Sequence, residues 1–193
     1  DCVASYDLVL NAGAPAVCGN AICEGPENFA NCPGDCPAAP GQDCTTAIDV
    51  SAGGTFNSGA FNGVYEAFET CFSGTPAAAR WFVYSATADG DLNVSSYGIG
   101  GTDSELAVGT GTCGSLTQVA CSEDFAGSPY ESEVQLAVTN GTDYYIMWGN
   151  YYSSTPFNFN VTFIPAGAVC GNSVCEGGEN FANCPGDCPA APG

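Results

Sequence analysis

A 25-residue segment occurs twice in this chain, almost unchanged, and it dictates much of what the remainder can be. Residues 17–41 read VCGNAICEGPENFANCPGDCPAAPG and residues 169–193 read VCGNSVCEGGENFANCPGDCPAAPG, at an offset of 152 residues. The two copies differ only at Ala21/Ser173, Ile22/Val174 and Pro26/Gly178. Each carries the spacing C-x4-C-x8-C-x3-C, as Cys18, Cys23, Cys32 and Cys36 and as Cys170, Cys175, Cys184 and Cys188. A unit this short cannot bury enough apolar surface to hold itself, so it needs covalent or metal staples. The segmentation that follows is a lone strand at 1–16, a Cys-rich module at 17–41, a large domain at 42–168 and a second Cys-rich module at 169–193. The chain stops where its own logic would begin another large domain. No initiator Met or signal peptide is seen, so the start has been removed or the sequence is a window on a longer chain.

Composition closes several doors. The chain has 21 Asp plus Glu, a single Arg, no Lys and no His, for a formal net charge of −20. Nucleic-acid phosphates need cations to displace their counterions, so nucleic acid is excluded as a partner. Anionic membrane surfaces would repel the chain, and no apolar run reaches the roughly 18 residues of a spanning helix, so membrane insertion is not expected. Without His or Lys the usual general bases and Schiff-base amines are missing, and no G-x-S-x-G elbow occurs; the chain does not read as an enzyme. Thirteen cysteines, against 45% hydrophobic residues, describe a folded, disulfide-rich protein of an oxidising compartment, placed outside the cell or on its surface.

Residues 42–168 read as all-β. Phe157-Asn158-Phe159-Asn160-Val161-Thr162-Phe163 alternates apolar and polar side chains without a break, and Val134, Leu136 and Val138 do the same before an Asn140-Gly141 hairpin turn. Further strands are expected at 80–86, 91–96, 104–109 and 144–152, about eight in all, which gives a jelly-roll-like β-sandwich. In residues 1–16, Tyr6, Leu8 and Leu10 alternate with polar or smaller residues, yet a lone strand cannot satisfy its own backbone. It belongs in a sheet whose other strands lie elsewhere.

Between the module cysteines stand oxygen donors with no neutralising cation: Asn20, Glu24, Glu27, Asn28, Asn31 and Asp35, repeated as Asn172, Glu176, Glu179, Asn180, Asn183 and Asp187. Carboxylates drawn together by disulfides repel unless a cation sits among them, and Ca²⁺ accepts six to eight oxygens in a tolerant geometry. One calcium per module is therefore expected. Two other readings stand beside it: Glu24 and Glu27 starting a short helix with Asp35 capping a turn, and zinc held by thiolates. In the large domain Cys113 and Cys121 flank a hairpin and are expected to pair, leaving Cys44 to pair with Cys71 and Cys2 without a partner. Asp103, Glu105, Glu123 and Asp124 read as a solvated acidic loop edge, against a second cation site or a glycosidase pair. Tyr144, Tyr145, Trp148, Tyr151 and Tyr152 offer a sugar-stacking surface, although alternation turns about half of them inward. Asn93, Asn140 and Asn160 open Asn-x-Ser/Thr sequons, all expected to be accessible to glycans.

The motif CGNAICEGPENFANCPGDC resembles a short Cys-rich calcium motif of secreted bacterial proteins and is distantly similar to Notch-type repeats, which implies a structural metal module without chemistry. The segments Arg80–Ser85, Asp103–Val108, Cys113–Asp124 and Asp143–Ile146 resemble bacterial pre-peptidase C-terminal domains. That resemblance implies a calcium-friendly β-sandwich appended to secreted enzymes and surface proteins, often in tandem. Where the family has an Asp before the Trp, Arg80 stands here. Taken together, strand, connector, sandwich and connector describe a head-to-tail building block whose partners are copies of itself in an extracellular bacterial filament. The alternative is a carbohydrate-binding or adhesion module of a secreted protein.

Overall fold

The computed structural model describes residues 18–24, 27–29, 31–125, 130–149, 155–167, 170, 171, 173, 175 and 179–188. The expected strand at 1–16, with Cys2, lies outside the described residues, as do Tyr151, Tyr152, Asn172 and Glu176. The chain divides into two compact units, Asp1–Ala38 and Ala39–Gly193.

In the larger unit the alternating apolar residues do what their period demands. Among the described residues nine strands form: β1 (Ile48–Asp49), β2 (Gly54–Asn57), β3 (Ala79–Ser85), β4 (Gly90–Ser95), β5 (Glu105–Thr112), β6 (Ser115–Ser122), β7 (Glu133–Val138), β8 (Asp143–Gly149) and β9 (Asn158–Pro165). They make a five-stranded sheet in the order β1-β3-β8-β5-β6 and a four-stranded sheet in the order β2-β9-β4-β7. All named pairings are antiparallel except the two-residue contact of β1 with β3. The architecture is the all-β sandwich expected from sequence. Its core alternates as the pleat requires: Phe82, Tyr84, Leu106, Val108, Ile146 and Trp148 from one sheet meet Leu92, Val94, Val134, Phe157, Phe159 and Val161 from the other. Phe159 is fully buried, with its ring 4.8 Å from Phe82 and 5.3 Å from Trp148.

The central strands of the five-stranded sheet are buried on both faces, which explains why Arg80–Ser85 is nearly continuous in apolar residues. On the outer face Ala79, Trp81, Ala107 and Met147 are covered by Tyr65, Phe68 and Phe72 from the strap that joins β2 to β3. Trp81 Nε1 donates to the Val64 carbonyl at 2.7 Å. Gly63 pairs with Ala79 so closely that any side chain there would run into the Gln42 and Ala79 carbonyls. Arg80, the single cation of the chain, donates Nε to the Ser58 carbonyl at 3.2 Å and Nη1 to Asn62 Oδ1 at 3.4 Å.

Two bridges pin this strap and its neighbours, and they are not the expected ones. Cys44 pairs with Cys113 and Cys71 with Cys121, at Cα separations of 5.7 and 6.3 Å. The register shows why Cys113–Cys121 fails. Cys113 sits in the turn beyond the Thr112–Ser115 rung, whereas Cys121 lies opposite Ala107. Six residues of strand separate Ser115 from Cys121, roughly 20 Å, and a disulfide spans less than about 7 Å between Cα atoms.

Candidate functional site

The modules are built around sulfur. In the smaller unit Cys18 pairs with Cys32 and Cys23 with Cys36; the second module repeats this as Cys170–Cys184 and Cys175–Cys188. Cα separations are 5.2 and 4.8 Å in both copies. With all eight sulfurs in bridges, thiolate ligation of zinc is ruled out. Among the described residues Cys32, Cys36, Glu27 and Asp35 are buried in the first module, and Cys184, Cys188, Glu179 and Asp187 in the second.

The oxygen donors divide into two groups. Asp35 holds the turn before it: Oδ2 accepts from the Gly19 and Asn20 N–H groups at 2.6 and 3.3 Å, and Oδ1 from the Ala21 N–H at 2.8 Å. This hydrogen bonding accompanies a left-handed backbone at Ala21, φ 62°, an uncommon conformation for a residue with a Cβ. Burial pushes the Asp35 carboxyl up, but the three N–H donors outweigh it and hold the group below its ordinary range. Asp187 repeats the arrangement on Gly171 and Ser173, with Ser173 at φ 66°. Asn28 and Asn31 cap each other: the Asn28 N–H donates to Asn31 Oδ1 at 2.7 Å and the Asn31 N–H to Asn28 Oδ1 at 3.2 Å, a pattern repeated between Asn180 and Asn183.

Glu27, Glu24 and Asn20 form the second group. Glu27 Oε2 accepts from the Glu24 N–H at 3.0 Å, and Asn20 Nδ2 donates to Glu24 Oε1 at 2.9 Å. Glu27 is only 8% exposed, and its Oε1 is buried with no hydrogen-bond partner. A buried carboxylate oxygen without a donor is costly unless a cation meets it. Glu179 occupies the same buried position in the second module.

Elsewhere the structure redistributes the candidates. Glu105 is buried at the start of β5, 1% exposed, rather than on a solvated edge. Glu123 Oε1 accepts from the Ser73 N–H at 3.1 Å, fixing the end of the strap. The Asp103 carboxyl is pushed up by burial and by the neighbouring charges of Asp124 and Glu123. Tyr144 and Trp148 are core residues, which removes them from any sugar-stacking surface, and Tyr145 is half-buried. An exposed aromatic group that sequence reasoning missed lies elsewhere, on loops: Tyr97, its ring tilted at 52° and 4.9 Å from that of half-buried Phe125, and Tyr130. No periodicity marks loop aromatics, so nothing in the sequence singles them out. Of the sequons, Asn140 is exposed on the β7–β8 turn. Asn93 and Asn160 are half-buried; Asn93 Nδ2 donates to Glu133 Oε1 at 3.0 Å, and Asn160 Oδ1 accepts from Thr55 at 2.6 Å.

No protein-family model matches this sequence, and no curated protein matches it. Among solved structures the chain is similar to the pre-peptidase C-terminal domain of a collagenase from Bacillus anthracis, at 10% identity and a TM-score of 0.38 over 61% of this chain and 93% of that one. It is also similar to part of a ruminal GH26 endo-β-1,4-mannanase, at 13% identity and a TM-score of 0.29, covering 64% of this chain and 28% of that chain. Among the described residues no helix is long and apolar enough to cross a membrane, and the six disulfides fit an oxidising compartment.

Proposed function

We propose that this chain is a structural protomer of an extracellular bacterial filament or surface appendage. It assembles head to tail with copies of itself and is stiffened by one calcium in each Cys-rich module. The observation that carries this reading is the duplicated module, with the same bridges and the same hydrogen-bonded turns on either side of one sandwich in the chain. A binding domain needs no such matched pair of connectors; a building block does. Calcium would be held by Glu27 with Glu24 and Asn20 in the first module, and by the corresponding Glu179, Glu176 and Asn172 in the second. Asp35, Asp187 and the paired asparagines set the turns that bring those donors together. Glycans at Asn140, and at Asn93 and Asn160, would face outward from the assembly.

A carbohydrate-binding or adhesion role is the second reading, and the exposed Tyr97 and Tyr130, with half-buried Phe125 beside Tyr97, favour it. Sedimentation of the purified full chain with calcium and with a chelator separates the two. Large, calcium-dependent species support the filament. A monomer under both conditions that is retained on a polysaccharide matrix supports the binding module.

A further inference from the structure

Sheet edges carry rows of open main-chain groups, and proteins blunt them with short strands, bulges, proline or cover. Three of the four edges of this sandwich are treated so. β1 has two residues, and β2 has four and begins at Gly54, φ +108°. β6 is bulged opposite Val108 and Gly109, and the strap covers it through Cys71–Cys121 and the bond from the Thr70 N–H to Gln118 Oε1. β7 is the exception. It runs six residues without proline, bulge or Lys, and pairs with β4 alone among the described strands.

Ladder parity identifies its open groups. The Ser96 N–H donates to the Ser132 carbonyl, so the rungs Val94–Val134, Leu92–Leu136 and Gly90–Val138 carry the hydrogen bonds to β4. The N–H and C=O groups of Gln135 and Ala137 therefore point away from β4, and both residues are exposed. On the inward face Val134 and Val138 are buried, yet Leu136 between them stays only half-buried. At the start of the strand the Glu133 N–H donates to Ser122 Oγ at 3.3 Å, so the stretch left for a further strand is Gln135–Ala137, with main chain facing away from β4 and Leu136 only partly covered by the core.

We propose that the open edge of β7 is the acceptor for residues 1–10 of a second copy. This assignment rests on the head-to-tail reading above. Residues 1–10 supply what the edge lacks, a short segment whose Tyr6, Leu8 and Leu10 alternate and so present one apolar face to Leu136 while the backbone pairs with Gln135 and Ala137.

The test uses the full chain, its deletion of residues 1–10, the variant Gln135→Pro, and a photo-crosslinking amino acid replacing Ala137. Gln135→Pro removes an N–H that β4 does not use. Assembly is read by sedimentation and electron microscopy, folding by circular dichroism, and cross-links by peptic mapping, since one Arg gives trypsin a single site. The proposal expects both the deletion and Gln135→Pro to stay folded and lose assembly, with cross-links from position 137 falling in residues 1–10 of another copy. Should Gln135→Pro fail to fold, the cross-link map alone decides. If the deletion stops assembly but Gln135→Pro assembles, or the cross-links fall elsewhere, β7 is not the acceptor and the head-to-tail reading survives. A full-length chain that stays monomeric overturns both.

Discussion

Removing the Cys71–Cys121 bridge with Cys71→Ser/Cys121→Ser tests the sandwich at the point where structure and sequence expectation part. The bridge closes a loop of 50 residues, and the chain-entropy relation gives about 4 kcal/mol for a loop of that length. Total stability of a domain of this size is roughly 5–15 kcal/mol, so the loss is a large share. With a urea slope of about 2 kcal/mol/M, the unfolding midpoint should fall by roughly 2 M. The strap bearing Phe68 and Phe72 should loosen first, because the bridge ties it to β6 beside Trp81. Thiol titration of the denatured variant is the decisive readout. With Cys44 bonded to Cys113, the variant exposes no thiol beyond those of the parent chain. The alternative pairing, Cys44–Cys71 with Cys113–Cys121, would strand Cys44 and Cys113 and add two. Two extra thiols, or an unchanged midpoint, would refute the reasoning.

Phe159→Ala should cost about 3–5 kcal/mol in urea unfolding, because the fully buried ring packs against Phe56, Phe82 and Trp148, whereas Thr162→Ala on the outer face of the same strand should stay within about 0.5 kcal/mol. The first module should weaken in acid: the Asp35 pKa is depressed below 3.8, so its contribution is full above that value and is lost as pH falls through the lower folded value. Nuclear magnetic resonance of Gly19–Ala21 amides should show this loss below about pH 3.8, and Asp35→Asn should remove the dependence. Calcium at a hundredfold excess over its Kd should add about 2.7 kcal/mol to each module, and Glu27→Gln should abolish the gain of the first module in calorimetry, leaving that of the second and breaking neither bridge.

The sandwich was legible where one face is core and the other is water. Phe157–Phe163 and Val134–Val138 show their period openly, and Asn140-Gly141 marks the turn between β7 and β8. β1 and β2 are too short to show a period, and the strand Ser115–Ser122 alternates too weakly, with half-exposed Leu116, Gln118 and Ala120 on its better-covered side. Closeness in sequence suggests a Cys113–Cys121 bridge, but it is not closeness across the hairpin: Cys113 and Cys121 sit at opposite ends of β6. Glu105 could not be read as buried because a charged residue at a strand start usually stays wet. In the modules, donor chemistry is visible from sequence, but only coordinates separate Asp35, saturated by three N–H groups, from Glu27 with its bare Oε1.

Electron microscopy of the full-length chain, concentrated in calcium, tests the filament claim most directly. Unbranched fibres with a regular axial repeat, built from sandwiches joined by Cys-rich connectors, are the predicted result. Dispersed single sandwiches at every concentration, with or without calcium, would contradict it.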